Sequence, residues 1–222
     1  AGGLLLKLYR TFLNNQVVSG ERTMYDEIQA DLDRQASGIA ITLQVIASSP
    51  SLRDDLKEKN VQHLQADWQP VFEQMKQADH LTHFLFYDTQ RVSLLRLHCP
   101  TLHGDIIDRF TALKAERTGE TTSGLEIGKF ETLVLRVVQP IFQDGTLVGY
   151  VELGRDLRDI FNGMQRPMAA EWAVLLYKEG MDRQQWTDSM ADPNADWDRL
   201  PHSVLFATSQ DPLPGEFDSV LD

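Results

Sequence analysis

Residues 94–109 read LLRLHCPTLHGDIIDR, and His98, Cys99, His103 and Asp105 fall within eight positions of that run. Imidazole, thiolate and carboxylate are the usual ligands of transition metals, and a cysteine beside a histidine is the raw material of a nucleophile. The spacing argues against both. No CxxC, HxxxH, HExxH or CxxCH pattern occurs, and no GxSxG elbow. On a strand, His98 and Cys99 point to opposite faces, and Pro100 forces the chain into an extended or turned path just after them. A pocket or loop histidine and a small core cysteine are the readings that the spacing favours, with no metal or cofactor expected.

A second set of residues is more telling. Arg96 and His98 alternate, so on a strand they share a face. Arg136 interrupts the apolar run LVLRVVQPIF, Glu126 stands in SGLEIG and Glu152 in YVELG. Charges on otherwise hydrophobic strands must be hydrogen-bonded or paired. Two readings follow: a polar ligand pocket inside a sheet domain, or buried ion pairs such as Arg136 with Glu126 or Glu152 and no ligand.

The elements that must carry these residues read as follows. Residues 1–48 form a long helix, with an apolar stripe at Leu5, Leu8, Phe12, Met24, Ile28, Leu32, Ile39, Leu43 and Ile46, and one miss at Gln35. A helix of forty residues spans roughly 60 Å, the length of a stalk. Ser49 and Pro50 start a second helix as cap and first position, and Asn60 starts a third that Pro70 should kink. The period then changes. HFLFYDT and RVSLLRLHC make a hairpin around Asp88-Thr89-Gln90. A helix follows from Asp105 to Arg117, with Asp105 as its cap. GLEIGKFETLVLRVVQPIF and LVGYVELG make a second, longer hairpin around Asp144-Gly145. LRDIFNGM is a helix and EWAVLLYK a last strand. The order β-β-α-β-β-α-β behind a helical lead implies an α+β fold on a mainly antiparallel sheet of about five strands. The expected divisions are a helical lead at 1–79, a sheet core at 80–180 and an extension at 181–222 that is a truncated second lobe or the completion of the first.

The 222 residues carry a net charge of −12, with no basic footprint for a nucleic-acid backbone. One cysteine rules out an internal disulfide. The opening AGGLLLKLYRTFLNN has no initiator methionine, and its short apolar run suits the outer edge of a membrane helix.

The stretch from His80 to Gly154, with HFLFYD, LLRLHCP, GDIIDR, SGLEIG, LRVVQPIF and DGTLVGYVELG in order, resembles the double-Cache branch of bacterial receptor sensor domains. YDTQRVSL before the Leu-Arg strand, Cys99 between His98 and Pro100, and Ile106 after Asp105 depart from the usual family pattern. The resemblance implies a PAS-like sheet with a long N-terminal helix, in the extracytoplasmic (periplasmic) part of an inner-membrane protein. It implies a non-catalytic role: a small polar or anionic molecule binds and shifts the long helix. The output would be a chemotaxis hairpin, a histidine kinase or a diguanylate cyclase. Arg96, His98, Asp105, Arg109, Glu126 and Arg136 match the family's polar positions and are the candidate ligand residues. A homodimer through residues 1–48 is the expected assembly. The rivals are a module that senses a partner protein without a ligand, and a small hydrolase using Cys99 or His98.

Overall fold

The computed structural model describes residues 18–127, 133–163, 173–179, 181–189 and 197–208. Helix α1 runs from Val18 to Ala47. Its stripe is buried at Ile28, Leu32, Ile39, Leu43 and Ile46, and Ala36 rather than Gln35 completes it. Leu5, Leu8 and Phe12 lie outside the described residues, as does the side chain of Met24. Ile28, within the 1–48 stretch expected to pair two copies, is buried within one chain.

Helix α2 spans Pro50–Glu58 and is capped by Ser49, whose hydroxyl accepts from the Leu52 amide. Lys59 leaves it in the left-handed conformation, at φ 54°, and Asn60 caps α3, Val61–Asp79. Pro70 does not break α3, which continues through it as one helix. The ring of Phe72 and the indole of Trp68 meet Phe84 edge-on, at centroid distances of 5.9 and 6.0 Å.

The main sheet is built from β1 (His83–Tyr87), β2 (Ser93–Arg96), β3 (Thr122–Ile127), β4 (Leu133–Gln143) and β5 (Thr146–Asp156), in the order β2-β1-β5-β4-β3. The pairs β1–β2, β1–β5 and β4–β5 are antiparallel. Asp144 and Gly145 both take positive φ, 51° and 78°, as a two-residue hairpin turn between right-twisted strands requires. The expected long hairpin differs in one respect: its first arm is two strands, β3 and β4. The expected helix at 105–117 also begins later, as α4, Phe110–Thr118. Residues 104–107 instead run back along β2. Ser93 exchanges backbone bonds with Gly104 and Asp105, and the Ile107 amide reaches the Arg91 carbonyl.

Register gives the sheet two unlike faces. Leu85 stands opposite Arg96 and Glu152, Tyr87 opposite Tyr150, and Val138 opposite Glu152. These residues, with Arg136, form the polar face. Phe84, Phe86, Val151 and Leu153 form the apolar face, and α3 packs there.

The chain divides into two compact units. The sheet, α2, α3 and α4 belong to the one built from Asp31–Glu126 and Val134–Asp159. The other holds α6 (Arg183–Ser189) and a second sheet of β6 (Ala173–Tyr177) paired antiparallel with β7 (Ser203–Thr208). The strand expected to end the main sheet therefore belongs to this small sheet. Val174, Leu176, Trp186, Val204 and Phe206 are buried there. Helix α5, Leu157–Gly163, follows β5 directly. Among the described residues no helix is long and apolar enough to cross a membrane.

Candidate functional site

The polar face collects the charges that the strands could not leave unpaired. Glu152 is fully buried at the centre of β5. Arg109 Nη2 donates to both of its oxygens, at 2.7 and 2.6 Å, and Arg136 Nη1 donates to Oε1 at 2.6 Å. Tyr87 Oη donates to Oε2 at 3.4 Å. Burial pushes the Glu152 carboxyl up, but the two guanidiniums outweigh it and hold it below its ordinary value. Burial pulls Arg136 down from its ordinary value. Tyr87 is pushed well up, first by burial and then by the Glu152 charge.

Glu126 has two jobs. Its carboxylate accepts from the Thr111 amide at 2.6 Å and from the Thr111 hydroxyl at 3.0 Å, so it caps the start of α4 from strand β3. It also lies 3.4 Å from Arg109 Nε and 3.9 Å from Arg136 Nε. The cap expected of Asp105 is therefore made by Glu126. Asp105 instead grips Arg96 with two parallel bonds, Nη1 to Oδ1 at 2.7 Å and Nη2 to Oδ2 at 2.9 Å. Arg96 Nη1 also holds the Leu102 carbonyl at 2.6 Å. This pair fastens the 97–109 loop to β2.

His98 lies just past β2 and turns back onto β1. The Phe84 amide donates to its Nδ1 at 3.3 Å, and its ring lies 4.5 Å from that of His83. Burial, then the Arg136 charge, lowers the His98 pKa to about 4, and burial holds His83 well below its ordinary value. Both rings are neutral near pH 7. With Nδ1 accepting, the proton of His98 sits on Nε2.

Of the six expected site residues, Arg109, Glu126 and Arg136 meet in one network, Arg96 and Asp105 form a separate pair, and His98 lies against His83 and the Phe84 amide. Glu152, named in the sequence only as a possible ion-pair partner, is the hub. The signal was its period-two spacing from Tyr150 and Gly154 on a strand whose neighbours are apolar. Cys99 is half-buried with its sulfur 3.8 Å from Thr101 Oγ1, and His103 is exposed. The four residues of the opening run do not converge on a metal position. Among the described residues the cluster that brings such atoms within 4.8 Å of one another is Asp55, His63 and Asp67.

Residues 17–198 match the family model described as the double sensory domain of two-component sensor kinase. The chain belongs to this double-Cache family. It resembles the sensor domain of Escherichia coli DcuS, with a TM-score of 0.51 and 23% identity over 60% of this chain and 96% of that one. A domain of a sensory box/GGDEF family protein from Vibrio parahaemolyticus matches with a TM-score of 0.50 and 18% identity, over 82% of this chain and 74% of that one. At these identities the likeness is one of fold. No curated protein sequence matches the chain significantly. This Cache domain is thus an α+β sensory domain of a family without catalytic function of its own.

Proposed function

We propose that this Cache domain is the extracytoplasmic, ligand-sensing part of a bacterial membrane receptor. A small polar or anionic molecule binds over the polar face at Arg96, His98, Asp105, Arg109, Glu126 and Arg136. Binding shifts α1 and so signals across the membrane to a kinase, cyclase or chemotaxis output. Pairing of two copies through the N-terminal helix completes the device.

The observation that carries this reading is the state of Arg136. It is 2% exposed, yet its Nε makes no hydrogen bond, with a Glu126 oxygen 3.9 Å away; Nε of Arg109 makes none either, at 3.4 Å from that oxygen. A buried N–H of a charged group without an acceptor costs about 1–3 kcal/mol. A ligand oxygen near Glu126 would relieve it at both arginines. Three guanidiniums on this face stand against three carboxylates, Asp105, Glu126 and Glu152, so the face carries no surplus charge of its own. A ligand with both acceptor and donor groups fits it better than a bare anion does.

The same neutrality favours one other reading, a fold-holding network in a module that senses a partner protein. A thermal-shift screen separates the two. The panel is amino acids, carboxylates, amines and purines, against the wild type, Arg136→Lys and Arg96→Ala. A ligand at 100 times its Kd adds about 2.7 kcal/mol of stability. A hit on one class, lost in Arg136→Lys while that variant still melts cooperatively, supports direct sensing. No shift with any class leaves the ligand-free module.

A further inference from the structure

On the apolar face of the same sheet, a cavity of about 520 Å³ opens between α1, the end of α3 and the end of β5. Its walls include Arg34, Gln35 and Ile39 from α1, Asp79 at the end of α3, Leu81 from the α3–β1 connection, and Arg155 from β5. Arg155 stands opposite Leu135 on β4 and one position past Gly154, so it points away from Glu152 and toward the helices. Its Nη1 donates to Gln35 Oε1 at 2.9 Å. Its Nε is buried without a hydrogen-bond partner.

From this geometry we infer that the cavity is a second binding site, for a small carboxylate that also carries a hydrogen-bond donor. Gln35 holds one nitrogen of Arg155 and fixes the plane of the guanidinium. The nitrogen that remains is Nη2, a charged donor for a carboxylate oxygen. The Arg34 charge at the mouth is already matched by Asp31 at 2.6 Å, which leaves Asp79 as the carboxylate for the donor end of the ligand. Ile39 and Leu81, both buried, offer apolar cover for a short chain between the two ends. The volume lies within the range of small-molecule sites, about 300–1,000 Å³. Such a ligand touches α1 and β5 together, and Arg155 and Gln35 would hold it between the sheet and the long helix. The site is on the opposite face from the Glu152 network and does not depend on that network binding anything.

The test is NMR of the whole chain labelled with ¹⁵N and ¹³C, reading the arginine Nε–H signals. The probes are 4-aminobutyrate, butyrate as the same carboxylate without the donor, and chloride at equal ionic strength. The Arg155 signal is assigned through bonds to its own backbone, so the reading does not rest on a variant that folds. The expected result is a saturable shift of that signal with 4-aminobutyrate, at least tenfold weaker affinity for butyrate, and at least tenfold weaker 4-aminobutyrate affinity in Arg155→Lys. A signal that stays in place, or that moves equally with chloride, overturns the site. Movement of the Arg109 and Arg136 signals alone also overturns it, while supporting the polar face as the binding surface. Equal affinity for butyrate overturns the part given to Asp79.

Discussion

Replacing Glu152 by glutamine is the sharpest perturbation available to this domain. The side chain keeps its size and loses its charge. In the wild type, Arg109 and Arg136 face Glu126 and Glu152, two charges against two. Glu152→Gln leaves two guanidiniums against one carboxylate, inside a site where Arg136 is fully buried. Breaking a buried ion pair by removing one partner costs about 3–5 kcal/mol. At about 2–4 °C per kcal/mol for a chain of this size, the sheet should melt about 6–20 °C earlier. The assay is thermal and urea unfolding read at the indole resonance of Trp68, which packs against Phe84 and reports on this unit. The decisive comparison is Glu152→Gln with Arg136→Met in one chain. That double variant returns to one charge against one, so it should melt above Glu152→Gln alone despite carrying the extra change. A double variant that melts at or below the sum of the two single losses would refute the reasoning, since packing and not charge balance would then set the cost.

Three further outcomes follow from the geometry. Glu126→Ala removes both the cap of α4 and one of the two carboxylates facing Arg109 and Arg136, so it should cost more than the about 1–2 kcal/mol of a lost cap alone, with faster hydrogen exchange at the Thr111 amide than in Glu126→Gln, which keeps an acceptor. Asp88→Ala strips the acceptor from the Gln90 and Val92 amides and the partner from Lys59. It should cost about 2–3 kcal/mol, and Asp88→Asn less, measured by urea unfolding. For His98 the folded pKa of about 4 lies below the ordinary 6.5, so as pH falls the unfolded chain takes up the proton first. Stability is complete above pH 6.5 and is lost between 6.5 and 4, by up to about 3 kcal/mol from this ring, with His83 acting in the same direction. His98→Gln should flatten that slope in melts taken across the window, and an unchanged slope would remove His98 from the account.

Local chemistry made much of this fold legible. Ser49-Pro50, Asn60 and Asp144-Gly145 act through bonds to their near neighbours, and each sits where its chemistry demands. The alternation in LVLRVVQPIF placed Arg136 on the polar face with Val138, because period two needs no tertiary knowledge. What failed was non-local. Asp105 has the right type and spacing to cap a helix, but Arg96 claims it across nine residues and the cap passes to Glu126, fifteen residues beyond Thr111. Propensity cannot say that residues 173–177 pair with residues 203–208 rather than with the main sheet, since edge partners are chosen by packing. The candidate residues were recovered as a set of charges, whereas the hub was not. Glu152 looks like any acidic residue on a strand until the register puts Arg136 and Arg109 beside it.

The double engagement of Glu126 has one more consequence. The start of α4 and the guanidinium pair share a single carboxylate, so they are thermodynamically linked. Whatever alters the docking of α4 alters the charge that Arg109 and Arg136 experience. By reciprocity, whatever occupies those guanidiniums changes the free energy of α4 by the same amount. Helix and network therefore soften and respond as one body, without a wire of intermediate residues between them.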